Sequence, residues 1–395
     1  MTNPQHGNPQ GRPSLLPIFL IVAVDILGFT IILPLLPFYA ERLGASAQTV
    51  GFLVSTYAVC QLISGPLLGR ASDRMGRRPL LLLSQAGTLV GFLVLAWSRV
   101  LWVVFLSRIV DGATAGNISL AQAYVADVTE PEERSKSFAV IGIAFGLGFL
   151  IGPAISGFLA QFGYQYPIYV AAGLSATSIV ATYLLLPGGS HPGTAAGGAT
   201  GRLAVLDWGN YSRYFKDRDV ASLLWRFFLF ILSFSMFVSC FALFAERRFM
   251  WHGKAFGPKE VGYVYAFSGF LGIIVQGGLI GRLVKRLGEP RLARWGFAAA
   301  AAGFSGLAFT YRIPTLLVAA AAISFGTGVL RPVLTSLITQ RTGKAEQGTV
   351  LGLTQSLASV SQIVAPAVGG LLIGQGQLVA WGLTMAGLSV AALFL

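Results

Sequence analysis

Twelve apolar runs dominate this 395-residue chain, at 15–38, 48–68, 79–97, 100–123, 136–160, 166–187, 220–245, 260–283, 291–311, 313–336, 347–374 and 377–395. Each is close to or beyond the roughly 20 residues an α-helix needs to cross a bilayer. Only 11% of residues are charged, against about 25% in soluble domains. So much apolar surface has no soluble core to hide in, so the solvent is lipid. There, backbone groups are satisfied inside helices or closed barrels, and runs of this length predict helices. Met1–Pro13 is polar and leads directly into a full-length run, so no cleaved signal peptide is expected.

Orientation follows from the basic residues. Gly69–Leu82 reads GRASDRMGRRPLLL and places Arg70, Asp73, Arg74, Arg77 and Arg78 between two spans. A connection that short and basic is expected to be a cytoplasmic loop. With the N-terminus inside, 18 of the 28 Lys and Arg fall on the cytoplasmic side, 7 on the other, and Arg108, Arg226 and Arg331 within spans. The net charge of +13 is therefore a property of the loops, and no nucleic-acid partner is expected. Cys60 and Cys240 sit inside apolar runs, where small buried hydrophobes are expected and a disulfide is not.

The chain repeats itself. GRASDRMG (69–76) aligns with GRLVKRLG (281–288) at an offset of 212, and GPAISG (152–157) with APAVGG (365–370) at 213. Parallel repeats predict two bundles related by an axis along the membrane normal, with a site between them. The expected organisation is a cytoplasmic tail 1–14, a six-helix bundle 15–187, a cytoplasmic linker 188–219 and a second six-helix bundle 220–395. The linker opens Gly- and Ala-rich and flexible. It closes with the aromatic, charged Arg202–Asp219, where a short interfacial helix is expected.

Four stretches carry a family pattern. They are LGFTIILPLLP (27–37), Gly69–Leu81, LSRIVDGATAG (106–116) and GFLIGPAISG (148–157). Together they resemble the signatures of the major facilitator superfamily, and within it the twelve-helix drug:proton antiporters. The tetracycline-efflux branch is the most similar, through an early aspartate in span one, SDR-x-GRRP in the loop and FGLG before GP in span five. Unlike that branch, the chain has no acid in Ser84–Trp97, no histidine in Gly262–Ile280 and no acid in Leu292–Tyr311. A substrate other than metal–tetracycline is expected. The resemblance implies an all-α membrane fold of twelve transmembrane helices in two pseudo-symmetric bundles. It also implies proton-coupled export of an amphipathic organic compound by alternating access, driven by a proton gradient without a cofactor. A nutrient symporter, or a non-transporting sensor or channel, remains the alternative. The expected setting is a bacterial-type inner membrane, with both termini cytoplasmic, a monomer, and lipid, protons and a small organic substrate as partners.

Asp25 lies about ten residues into span one, roughly 15 Å deep. Carboxylates at that depth are costly and usually functional and paired. It is the candidate proton carrier, with a purely structural ion pair as the alternative. Arg108 in span four is its expected partner, and the resemblance supports a role in coupling. Asp111, three residues on, can join that arrangement or form a local pair with Arg108. The resemblance assigns a cytoplasmic gate to Gly69, Asp73, Arg74, Gly76, Arg77 and Asp127. In it Asp73 meets the start of span eleven near Gln347–Gly348, where a helix N-terminus favours an anion. Lys285 stands at the aspartate position in the second copy. Gly148, Gly152, Pro153 and Gly157 form the antiporter-signature helix. Its small residues permit close helix approach and its proline a bend.

Arg331 beside Pro332 can face a central cavity or snorkel to the interface, and Arg226 is expected to snorkel. Polar or aromatic groups inside spans supply the remaining cavity candidates: Gln61, Asn117, Phe234, Gln276, Gln355 and Gln362. The chain has no G-K-[ST] phosphate loop, so no ATP-driven pump is expected. His6, His191 and His252 fall in loops. Neither a metal site nor an enzyme is expected.

Overall fold

The computed structural model describes residues 16–128, 134–186, 208–342 and 346–395. Among these residues the regular structure is helical apart from one small hairpin. The first part is α1 (Leu16–Arg42), α2 (Ala47–Met75), α3 (Arg77–Ala96), α4 (Leu101–Ala113), α5 (Asn117–Val128), α6 (Arg134–Leu159) and α7 (Gln165–Leu185). A short α8 (Trp208–Lys216) precedes α9 (Arg218–Arg248) and the hairpin β1 (Met250–Trp251) and β2 (Lys254–Ala255). Next come α10 (Pro258–Ile274), a π-helical turn Val275–Leu279, and α11 (Ile280–Leu287). The last are α12 (Glu289–Phe309), α13 (Ile313–Arg341), α14 (Gln347–Gly374) and α15 (Leu378–Phe394). Eight helices meet both length and hydropathy requirements for a membrane span. The pair α4–α5 and the helices α6, α12 and α15 complete twelve columns.

The structure corrects the expected basic loop. Gly69–Met75 continues α2, and only Gly76, at φ +93°, breaks the chain before α3. The helix outruns the apolar run because its basic end no longer needs lipid. The turn is held by a hydrogen bond from the Gly76 amide to the Ser72 carbonyl, 3.0 Å. The second copy repeats this at Gly288, φ +73°.

Within the first bundle α1 packs on α6 and α7, and α3 on α4 and α7. Within the second, α12 packs on α13 and α15, and α9 on α14 and α15. The bundles join mainly through α2 with α14 and α6 with α10, and more lightly through α1 with α9 and α10 and α2 with α9. Segment 187–207 of the expected linker lies outside the described residues. α8 occupies part of the stretch in which a helix is expected, and Arg213 ties it to Glu346 before α14 at 3.1 Å.

The bundles meet unevenly. The "basic face" below is the end that carries the Gly76 and Gly288 turns. At the opposite end, a Cβ on Gly51 of α2 would lie 2.3 Å from the Pro366 carbonyl oxygen of α14. One on Gly370 would lie 2.6 Å from the Ala47 carbonyl oxygen. One on Gly262 of α10 would lie 2.4 Å from the Pro153 carbonyl oxygen of α6. Backbone touches backbone there, which small residues alone allow. Glu41 and Arg247 bridge the bundles at the same end, 2.5 Å apart. Toward the basic face, Cβ positions on Gly65, Gly69, Gly277, Gly278 and Gly281 meet nothing within 4 Å among the described residues. The molecule is closed at one end and parted toward the other.

Candidate functional site

Asp25 projects from the first half of α1 toward α3 and α7. The Gln85 amide on α3 donates to Asp25 Oδ2 at 3.4 Å and to Ser178 Oγ on α7 at 2.8 Å. Ser178 also contacts Asp25 and donates to the Ile21 carbonyl at 3.4 Å. Gln85 and Ser178 are fully buried, and Gln85 Oε1 has no hydrogen-bond partner. Three helices therefore converge on one carboxyl through neutral polar groups.

This corrects the expected Asp25–Arg108 pair. Arg108 instead bonds Asp111 on its own helix at 3.1 Å, with both side chains 5% exposed. Spacing of three residues puts both on one face, and the short Asp111 side chain holds the guanidinium against α4. The hydroxyl of Thr88 on α3 also meets Asp111. A Cβ on Gly91 of α3 would lie 2.9 Å from Asp111 Cβ, so α3 closes over the pair. Asp111 remains an electrostatic neighbour of Asp25. Gln85 is the functional candidate that sequence reasoning passes over. Its signal was present: a glutamine inside an apolar run, the criterion that singled out five other amides.

The span carrying Arg108 is broken. α4 ends at Ala113 and α5 restarts at Asn117. Serines from neighbouring helices meet the freed backbone groups. Ser64 of α2 donates to the Gly112 carbonyl at 2.7 Å. Ser84 of α3 donates to the Thr114 carbonyl and accepts from the Gly116 amide at 2.8 Å. No proline marks this break, which hides it from sequence.

The α6 signature touches both bundles. Thr30, one turn beyond Asp25, donates to the Gly148 carbonyl at 2.9 Å. A Cβ on Gly152 would lie 2.1 Å from Thr30 Oγ1, and one on Gly157 would lie 2.9 Å from Lys259 Cα. One edge of α6 therefore lies on α1 and the other on α10.

Of the proposed gate residues, Asp73, Arg74 and Arg77 lie around the Gly76 turn between α2 and α3. Asp73 is 61% exposed and pairs with Arg77 at 2.6 Å, while Arg77 also donates to Ser72 Oγ at 2.6 Å. The expected meeting of Asp73 with the start of span eleven falls on Gln347 and Gly348, outside the described side chains. Arg74 is exposed, and Gly69 lies within α2. The side chains of Asp127, Gln347 and Gly348 lie outside the described residues.

Among the cavity candidates, Arg331 is solvent-accessible on α13 yet set deep among surrounding atoms. Gln276 lies on the π-helical turn, facing open space. Such turns often mark functional positions. Gln61 donates to the Tyr57 hydroxyl at 3.3 Å, and Tyr57 senses both Arg108 and Asp111. Asn117 is half-buried at the helix break, with Oδ1 unpartnered. Gln355 is exposed and Gln362 half-buried on α14. Phe234 stacks on Phe230, centroids 6.1 Å apart, within the apolar core.

A sequence profile of the Major Facilitator Superfamily matches residues 18–310 and 277–395. The chain belongs to that superfamily. It is similar to the class E tetracycline resistance protein of Escherichia coli, 32% identical over 358 residues, 88% of this chain and 85% of that protein. It is similar to Multidrug resistance protein 2 of Bacillus subtilis, 30% identical over 370 residues, 90% of this chain and 88% of that protein. Among solved structures, the human organic anion transporter MFSD10 superposes with a TM-score of 0.71 at 25% identity, covering 98% of this chain and 99% of that one.

As a major facilitator, the chain is a membrane-spanning transporter, and by family it is no enzyme. Its α2–α14 and α6–α10 contacts are the main surfaces between the two bundles. In this major facilitator the Asp25 cluster lies inside the first bundle, beside the α1–α6 seam.

Proposed function

We infer that this major facilitator exports small amphipathic organic compounds in exchange for protons, by alternating access, with its basic face in the cytoplasm. One observation carries the reading: a half-buried carboxyl in the first half of α1, met by the neutral Gln85 and Ser178 rather than fixed by a cation. A salt-bridged aspartate is locked ionised, whereas one facing an amide can exist in either state. Ionised, Asp25 accepts from the Gln85 amide nitrogen. Protonated, its O–H needs an acceptor, and Gln85 Oε1 is free to become one if the amide turns over. The carboxyl thus has a hydrogen-bond partner whether ionised or protonated, next to the seam through which α6 reaches the other bundle.

The tetracycline and multidrug relatives favour export of drug-like compounds. The lack of acids and histidine in spans three, eight and nine favours a substrate other than metal–tetracycline. Coupling draws on a proton gradient, no cofactor is needed, and the working unit is a monomer in the inner membrane. Asp73 then closes the basic face once it exchanges Arg77 for the start of α14.

The test is substrate-driven proton movement in proteoliposomes across a compound panel. Asp25→Asn should abolish transport driven by a pH gradient while leaving substrate binding measurable. Gradient-driven transport at the parental rate in Asp25→Asn would overturn the reading. A second reading concerns the cargo alone: Arg331 set deep on α13, with the organic anion transporter among the relatives, favours substrates bearing an anionic group. Anionic and cationic members of the same panel separate the two.

A further inference from the structure

A groove of about 420 Å³ opens between α12 and α15 at the basic face, away from the Asp25 cluster. Arg291, Arg294, Trp295 and Ala298 of α12 form one wall and Leu393 of α15 the other. Arg226 of α9 lies close enough to Arg294 for their charges to oppose one another. Its Nε is buried without a hydrogen-bond partner. Two guanidiniums therefore line the groove, and a third, Arg226, lies within electrostatic reach of Arg294.

No side-chain carboxylate of the described residues pairs with them. The side-chain carboxylates that the described residues place at the basic face of the second bundle are Asp217, Asp219, Glu289 and Glu346. Asp217 caps α9, accepting from the amides of Asp219 and Val220. Asp219 pairs with Arg341, and Glu346 with Arg213. Glu289 accepts from Ser336 at 2.8 Å and Gln340 at 3.1 Å. Among the described residues none pairs with Arg226, Arg291 or Arg294. Like charges held side by side create a positive potential that concentrates anions.

The rest of the groove says which kind. Trp295 is 63% exposed, and Phe394 beyond Leu393 is exposed too. Exposed indoles mark the headgroup level of a bilayer. Ala298, one turn deeper than Arg294, leaves room beside α12 for a hydrocarbon chain. A free inorganic anion would use the arginines and leave the apolar wall empty. We propose that the α12–α15 groove binds an anionic phospholipid of the leaflet at the basic face, its phosphate held by Arg226, Arg291 and Arg294 and an acyl chain laid past Ala298. This site is independent of what the transporter carries and of how it is driven.

The experiment is native mass spectrometry of the purified protein equilibrated with equal phosphatidylglycerol and phosphatidylethanolamine. Each arginine at a lipid surface contributes about fivefold in affinity, so Arg291→Gln with Arg294→Gln should weaken retained phosphatidylglycerol about 30-fold. The charge-keeping pair Arg291→Lys and Arg294→Lys should retain most of it, with unchanged thermal melting as the control for folding. Equal retention of both lipids by the parent protein would overturn the proposal without any variant. So would undiminished phosphatidylglycerol on the glutamine pair. Displacement of bound phosphatidylglycerol by millimolar inorganic phosphate would reassign the arginines to a free anion and equally sink the lipid site.

Discussion

The closed end of the molecule rests on backbone contacts that one methyl group can test. An alanine at Gly51 would place its Cβ 2.3 Å from the Pro366 carbonyl oxygen and 3.0 Å from its carbon. Ordinary contact begins near 3.4 Å, so α2 and α14 must part by about 1 Å. Neither partner can rotate out of the way, because both are helix backbone. Overpacking of this kind costs about 1–3 kcal/mol. A conformation opened at this end does not incur that cost, so Gly51→Ala should shift the equilibrium toward it by about 5- to 150-fold. The assay is a spin-label distance between cysteines replacing Gln48 and Gln375, both exposed at that end, in a background of Cys60→Ser and Cys240→Ala. Gly51→Ala should add or enlarge a long-distance population. Gly65→Ala, on the same helix with nothing within 4 Å among the described residues, should leave the distribution unchanged. A folded Gly51→Ala protein with the parental distance distribution would refute the reasoning.

Two further outcomes follow from the cluster around α4. Ser84→Ala removes the partner of the Thr114 carbonyl and the Gly116 amide; unmet buried groups cost about 1–3 kcal/mol each, so thermal melting should fall, and more than for Ser359→Ala, whose hydroxyl meets only its own helix. Arg108→Ala strands the Asp111 carboxylate, and breaking a buried pair costs about 3–5 kcal/mol. The double variant Arg108→Ala with Asp111→Ala should melt higher than Arg108→Ala alone, and equal melting would argue that the pair is not the unit.

What the sequence makes legible is whatever depends on local pattern. Twelve spans follow from twelve apolar runs, and the Arg108–Asp111 pair from three-residue spacing. The family follows from four short signatures in order. The partner of Asp25 was beyond reach for a physical reason. It depends on which way Gln85 and Ser178 point from α3 and α7, and no one-dimensional pattern encodes a junction of three helices. The α4–α5 break is hidden similarly, since the serines that satisfy it come from α2 and α3. The basic turn misleads in the other direction. Glycines and charges at 69–76 suggest a loop, yet the Asp73–Arg77 pair and the Ser72 carbonyl hold a helix up to Gly76.

The two-sided packing of α6 separates stability from conformational balance. A methyl at Gly152 meets Thr30 of α1 at 2.1 Å, a contact inside one bundle. A methyl at Gly157 meets Lys259 of α10 at 2.9 Å, a contact between bundles that exists only while this end is closed. The first clash persists in every conformation, so Gly152→Ala should lower the melting temperature and leave the spin-label distances alone. The second is relieved by opening, so Gly157→Ala should change the distances and largely spare the melting temperature. Because Thr30 lies about one turn from Asp25, Gly152→Ala should also disturb the carboxyl, whereas Gly157→Ala should not. If both variants moved the same readout, α6 would be a uniform packing helix, and the link from Asp25 through α6 to the second bundle would be lost.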